Sequence, residues 1–320
     1  MRVLITGLTG FAGSHLVDHL LSATDWELWG TAFGPQETGP RRDPRVHLMD
    51  ADLLDPADRD RVMAASRPEL VIHLAGQSSV RDAWRQPWST FDTNVRMQLE
   101  LMQALAGRDE GARMVAITSN EVYGCGADAG APLDESAPMA PVNPYALSKV
   151  AQDFLAELYG KAFCLDVVRL RPFTHIGPRQ SDQFVTASFG RQVAEIEAGR
   201  RERVLHVGNL DVERDLTDVR DVVRGYHLAA VHGRSGQAYN LGSGTARSIR
   251  AVLDWFVAAA GVTIDVVPDP ARQRPVDVAR TLCDAGKARA DLGWSPTIEF
   301  EQTLADILDY WRARVAAEGC

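Results

Sequence analysis

The chain has 320 residues, 34 basic against 43 acidic side chains and a formal net charge of −9 at pH 7. That balance excludes nucleic-acid partners, whose phosphate backbones are held by clustered Lys and Arg, and no apolar run is long enough to span a membrane. Cys125, Cys164, Cys283 and Cys320 lack paired metal-ligand spacing, and the first apolar run is too short and Gly-interrupted for a signal peptide, so the expectation is a soluble cytoplasmic protein without a metal.

The chain opens on an apolar run, Val3-Leu4-Ile5, which reads as a buried strand. Thr6-Gly7-Leu8-Thr9-Gly10-Phe11-Ala12-Gly13 follows, and Leu16, Val17, Leu20 and Leu21 then recur at helical spacing. Glycines at 7, 10 and 13 let the backbone turn tightly and approach a pyrophosphate at the start of the helix. A second strand, Glu27 to Phe33, ends without the acidic side chain that would bind an adenosine ribose and exclude a 2′-phosphate. Arg41 and Arg42 lie a little further on. The cofactor expected is therefore NADP(H), with NAD(H) as the alternative.

Val46–Met49, Leu70–Leu74 and Met114–Ile117 read as further buried parallel strands. Between the last two, Phe91, Val95, Leu99, Met102 and Leu105 form one helical stripe. From Val150 a second long helix carries Phe154, Leu155 and Leu158 on one side, and Cys164–Leu170 reads as the next strand. Beyond Pro172 the pattern loosens into mixed helices and short strands. The expected fold is α/β: a Rossmann-type doubly wound parallel sheet over residues 1–172, with a returning segment near 208–245. A smaller substrate-binding lobe takes most of 173–320.

Tyr145 and Lys149 stand four residues apart, so a helix places them on one face. An ammonium near a phenol favours phenolate and is expected to lower the tyrosine into the range of an acid–base catalyst. Pro144 suits the first turn of that helix. Ser119, just after the fifth strand, stands where parallel-sheet enzymes place reactive groups and offers a second hydroxyl to the same substrate oxygen.

Ser119, Tyr145, Lys149 and the glycine turn resemble the extended short-chain dehydrogenase/reductase superfamily along essentially the whole chain. The resemblance implies cofactor contacts at Gly7, Thr9, Gly10, Phe11, Ala12, Gly13, Thr31, Asp52, Leu53, Leu74, Ala75, Gly76 and Asn94, together with Tyr145 and Lys149. In the second half, Arg171 to Gln180, Phe184-Val185-Thr186, Val207 to Asp215 and Arg274-Pro275-Val276-Asp277 are similar to two sister groups. These are GDP-mannose 4,6-dehydratase and GDP-4-keto-6-deoxy-mannose reductase.

By that likeness Arg214 and Arg274 hold the nucleotide diphosphate and Asp277 contacts the ribose. Ser79, Thr174 and Val185 complete the sugar-nucleotide site, Thr174 standing where these groups carry asparagine. From the residues alone, Arg214 pairing with Asp211, Asp215 or Asp218 on a solvated loop is the alternative. Glu121 stands where a dehydratase keeps the base that removes the C5 proton. The segment after Phe184-Val185-Thr186 lacks the basic pair of the dehydratases, which favours ketone reduction. A 4,6-dehydratase or a 4-epimerase is the runner-up, and a cofactor-sensing regulator without catalysis is the reading from another class. The same family dimerises by packing helices near 89–106 and 145–160 into a four-helix bundle.

Overall fold

The computed structural model describes residues 1–34, 43–108, 111–125, 130–272 and 276–318. In chain order the first elements are β1 (Arg2–Thr6), α1 (Phe11–Ala23), β2 (Glu27–Ala32), β3 (Val46–Asp50), α2 (Pro56–Ser66) and β4 (Leu70–His73). Next come α3 (Val80–Arg85), α4 (Pro87–Phe91), a π-helical turn (Asp92–Arg96), α5 (Met97–Ala106) and β5 (Arg113–Ile117). A 3₁₀ turn (Asn120–Val122) leads to α6 (Pro144–Phe163), β6 (Val167–Pro172) and β7 (Thr174–Ile176). The remainder is α7 (Val185–Glu197), β8 (Val204–Val207), β9 (Glu213–Asp218), α8 (Val219–His232), β10 (Ala238–Leu241), β11 (Ala246–Ser248), α9 (Ile249–Ala259), β12 (Asp265–Pro268), a further 3₁₀ turn (Pro270–Arg272), α10 (Gly286–Leu292) and α11 (Phe300–Ala317).

Among the described residues the main sheet has seven strands in the order β10-β6-β5-β4-β1-β2-β3, all neighbours parallel. Its strands are apolar on both faces because both are covered. Val3 and Ile5 of β1 enter one core with Leu16, Val17 and Leu20 of α1 and Val222 and Tyr226 of α8. Leu4 points the other way, into a core with Leu101, Met102 and Leu105 of α5 and Ala156 and Tyr159 of α6. Order reverses between β1 and β4, which opens a crevice at the carboxyl ends of those strands, the standard ligand position of such sheets. The chain leaves the sheet after β6 and returns to it with β10. Short sheets β11-β9-β7 and β12-β8 and a third core built on α7, α9 and α11 make up much of the rest.

Two expectations shift. The apolar stripe through Val95 and Leu99 is interrupted by the π-helical turn, whose extra residue rotates the following face. The residues turned fully inward are Asn94, Met97, Gln98, Leu101, Met102 and Leu105. The strand expected from Cys164 starts at Val167, because Cys164 ends α6 in a left-handed conformation with φ 54°.

Candidate active site

Thr6 closes β1, and its hydroxyl oxygen accepts the backbone N–H of Leu74 (3.1 Å) and of Ala75 (3.0 Å). With both lone pairs engaged, its proton goes to His73 Nδ1, 2.8 Å away. The loops after β1 and β4 are thereby fixed side by side. Gly7 takes φ +69°, and a Cβ there would lie 3.0 Å from the Ala75 backbone. A Cβ on Gly13 would lie 2.4 Å from the Gly7 carbonyl oxygen. Helix α1 begins at the exposed Gly10 with no side-chain cap and no acidic residue in its first turn. A helix start left without a side-chain cap offers its first amides to an anion, and this fits the pyrophosphate of a dinucleotide.

The turn that holds Gly7, Thr9, Gly10, Phe11, Ala12 and Gly13 thus lies beside the loop of Leu74, Ala75 and Gly76, touching it at Gly7 against Leu74 and Ala75. Other residues assigned to the cofactor act from behind it. Thr31 is 3 % exposed and accepts the Gly7 N–H from below (3.3 Å). Leu53 packs into the core, and Asp52 accepts the Leu54 N–H (2.9 Å). Asn94, turned inward by the π-helical turn, holds Gln77 through both its N–H (2.8 Å) and C=O (3.1 Å). Its amide also donates to Ser148 Oγ (2.9 Å). Arg41 and Arg42 lie outside the described residues.

Ser119 follows β5 and caps the 3₁₀ turn, accepting the Glu121 N–H at 3.2 Å. Asn143 caps α6: its side-chain oxygen accepts the Ala146 N–H (2.7 Å), with Pro144 in the first turn. This starts the helix where the Tyr145 phenol faces Ser119 closely enough for the serine hydroxyl to act on it. The other half of the Asn143 amide donates to Glu121 Oε2 (3.1 Å), so one cap fixes the phenol and the carboxylate together. The geometry thus unites Ser119, Glu121 and Tyr145. Asn143 was not among the expected site residues, although an Asn-Pro pair ahead of a helix is a recognisable capping signal.

Burial holds the Tyr145 phenol well above its ordinary value, the Ser119 hydrogen bond pulls it down and the Glu121 charge pushes it up again. Lys149 does not lower it, contrary to expectation. Its Nζ donates to the Ile117 carbonyl oxygen (3.1 Å) and sits 5.9 Å from the centre of the phenol ring. Burial lowers the lysine itself to about 8.

A cleft beside these groups is lined by Asn120, Glu121, Asn143, Arg214, Asp277 and Thr281, among others. Arg214 does not pair with Asp211, Asp215 or Asp218. It donates to Asp277 Oδ1 (2.5 Å), to the Val278 carbonyl (2.7 Å) and to its neighbour Glu213 (2.9 Å). Asp215 is instead taken by the backbone of Ser243, Gly244 and Cys283. Ser79, which caps α3, Thr174 in β7 and Val185 at the start of α7 do not line this cleft. Arg274 lies outside the described residues. Among those residues no group of three His, Cys, Asp or Glu side chains is placed to hold a metal ion, and no helix is long and apolar enough to cross a membrane.

Residues 4–307 match the family model described as GDP-mannose 4,6 dehydratase. A GDP-6-deoxy-D-mannose reductase from Pseudomonas aeruginosa is 38% identical over 318 residues, 99% of each chain. The structure of RMD from Pseudomonas aeruginosa complexed with NADPH superposes with a TM-score of 0.85 at 36% identity, covering 98% of this chain and 100% of that one. The Thermus thermophilus UDP-glucose 4-epimerase in complex with NAD gives 0.83 at 30% identity, covering 98% and 99%.

Proposed function

The chain belongs to the GDP-mannose 4,6-dehydratase family of extended short-chain dehydrogenases and is an NAD(P)-dependent nucleotide-sugar enzyme; from that premise we propose that it reduces the C4 ketone of GDP-4-keto-6-deoxy-mannose to GDP-rhamnose. The observation that carries the reading is the end-to-end similarity to a GDP-6-deoxy-D-mannose reductase. NADPH is the proposed cofactor, in keeping with the relative solved with it and with a second strand that ends in Thr31-Ala32-Phe33, without an acid.

When bound, the cofactor supplies the hydride that adds to C4. Ser119 and Tyr145 donate hydrogen bonds to the carbonyl oxygen, and Tyr145 passes its proton to that oxygen as negative charge builds there. A phenol kept protonated by burial is in the state an acid requires at neutral pH. Lys149 carries its charge below about pH 8 and steadies the phenolate left behind. One such pre-placed donor lowers a barrier by about 3 kcal/mol. Arg214 exchanges Asp277 for the diphosphate, which its planar fork can hold bidentately, and Asp277 turns to the ribose.

A second reading has one observation of its own: Asn143 holds Glu121 within the charge field of Tyr145, which supports the role of C5 base that the likeness to the dehydratases gives this carboxylate. The test runs two tubes, GDP-mannose with oxidised cofactor and GDP-4-keto-6-deoxy-mannose with NADPH. Loss of reduced cofactor in the second tube alone supports the reductase. A keto sugar appearing in the first supports the dehydratase, and turnover of UDP-glucose to UDP-galactose in a third would support an epimerase.

We also propose a homodimer in the cytoplasm. On α6, Leu147, Phe154 and Leu158 are 48 %, 56 % and 55 % exposed, and Trp88 on α4 is 82 % exposed. Exposed apolar side chains on these two helices suit the four-helix bundle of the family. Light scattering on the purified protein checks it, with Phe154→Glu expected to give monomer.

A further inference from the structure

Thr281 is 8 % exposed, and its Oγ1 is a buried atom with no hydrogen-bond partner among the described residues. Buried hydroxyls are almost always paired, and each exception calls for a reason. Its backbone is firmly placed: the Thr281 N–H donates to Glu213 O (3.1 Å) and its carbonyl accepts the Asp215 N–H (3.0 Å). Those two bonds straddle Arg214 and set Thr281 across from it. Both residues, with Asp277, line the cleft that also holds Glu121. Threonine occupies staggered wells about χ1, so one rotation exchanges the places of its hydroxyl and methyl groups.

We propose that Thr281 is a further substrate-binding residue whose hydroxyl donates to the substrate's diphosphate beside the Arg214 guanidinium. The inference rests on reading this cleft as a nucleotide-sugar site and adds a residue to it. Position chooses the diphosphate over the sugar ring: Thr281 adjoins Arg214, the cation of the cleft among the described residues, while Glu121 and Asn143 form the part next to Tyr145. The hydroxyl is retained at a cost to the fold, because its hydrogen bond is made only with ligand.

The test compares Thr281→Val, which keeps the shape and removes the hydroxyl, with Thr281→Ser, which keeps the hydroxyl. GDP and NADPH are titrated by calorimetry into each full-length protein, and thermal melting is recorded. The expected result is GDP affinity weakened about tenfold or more in Thr281→Val, near normal in Thr281→Ser, NADPH affinity unchanged in both, and Thr281→Val melting no lower than the parent. The inference is overturned if Thr281→Val binds GDP as the parent does, or if Thr281→Ser loses as much as Thr281→Val. UDP and dTDP are titrated in parallel. Should the parent take one of them and refuse GDP, the substrate proposed above falls, and the same variants read with that nucleotide still decide Thr281.

Discussion

The ammonium group of Lys149 is directed at the carbonyl oxygen of Ile117, 3.1 Å away, and not at the Tyr145 oxygen. A buried lysine held by one carbonyl loses its charge easily, which is why it titrates near 8. Below that pH Nζ is charged and can stabilise a phenolate. As pH rises through about 8 the charge is lost, and kcat is expected to fall on a one-proton limb. Lys149→Arg, charged at every accessible pH, should abolish that limb even if its maximum is lower. A parent profile flat to well above 9 would remove Lys149 from the chemistry.

Tyr145→Phe leaves the ring and its packing but takes away the proton. Turnover of the keto sugar should fall by about 10² or more, with GDP binding within twofold. Ser119→Ala removes one donor to the same oxygen, and a loss of roughly 10²–10³ in kcat is expected. Steady-state kinetics beside calorimetric titration check both, and normal turnover by Tyr145→Phe would refute the assignment.

Gly13→Ala tests the cradle. The new Cβ would fall 2.4 Å from Gly7 O and 2.6 Å from Leu8 O, and backbone on both sides cannot step aside. Overpacking of this kind costs about 1–3 kcal/mol, and the turn it distorts is the one proposed to receive pyrophosphate. NADPH fluorescence titration should show affinity down about tenfold or more, with GDP affinity much less changed. Equal loss of both would point to general unfolding.

Arg214→Ala removes the cleft's guanidinium and leaves Asp277 without its 2.5 Å partner. KM for the sugar nucleotide is expected to rise about tenfold or more while kcat and NADPH affinity change little. A fall in kcat with KM unchanged would place Arg214 in the chemical step.

His73 is fully buried beneath the site, neutral, and lowered to about 3 by burial and then by the Lys149 charge. The unfolded chain takes up this proton near pH 6.5, but the folded one does not until about 3. Stability contributed by the neutral ring is therefore whole above 6.5 and is lost as pH falls, at about 1.4 kcal/mol per pH unit for one proton. Urea unfolding at pH 7 to 4 should show His73→Gln with a slope shallower by about that amount. Identical slopes would mean another group governs acid sensitivity.

Much of this was legible in the sequence because it is local. Short continuous apolar runs marked the strands, three glycines marked the turn, and Tyr145 and Lys149 declared a shared face by spacing alone. What escaped depends on approach between distant segments or on one irregular turn. Nothing in Phe91 to Leu105 announces the π-helical turn that sends Asn94 inward. Arg214 had three acids nearby in the chain, yet Asp277, 63 positions on, takes it. Thr281 carries no motif, and its meaning comes only from the backbone bonds that place it opposite Arg214.

The return of the chain to the main sheet has a consequence during synthesis on the ribosome. All six residues of β6 are buried, and on one side only β10 covers them. Until residues 238–241 emerge, the unpaired backbone edge of this strand stands open to any other nascent chain, a known hazard of slow parallel pairing. A pause or truncation between residues 172 and 238 is therefore the interval in which a holding chaperone matters most for the yield of this enzyme.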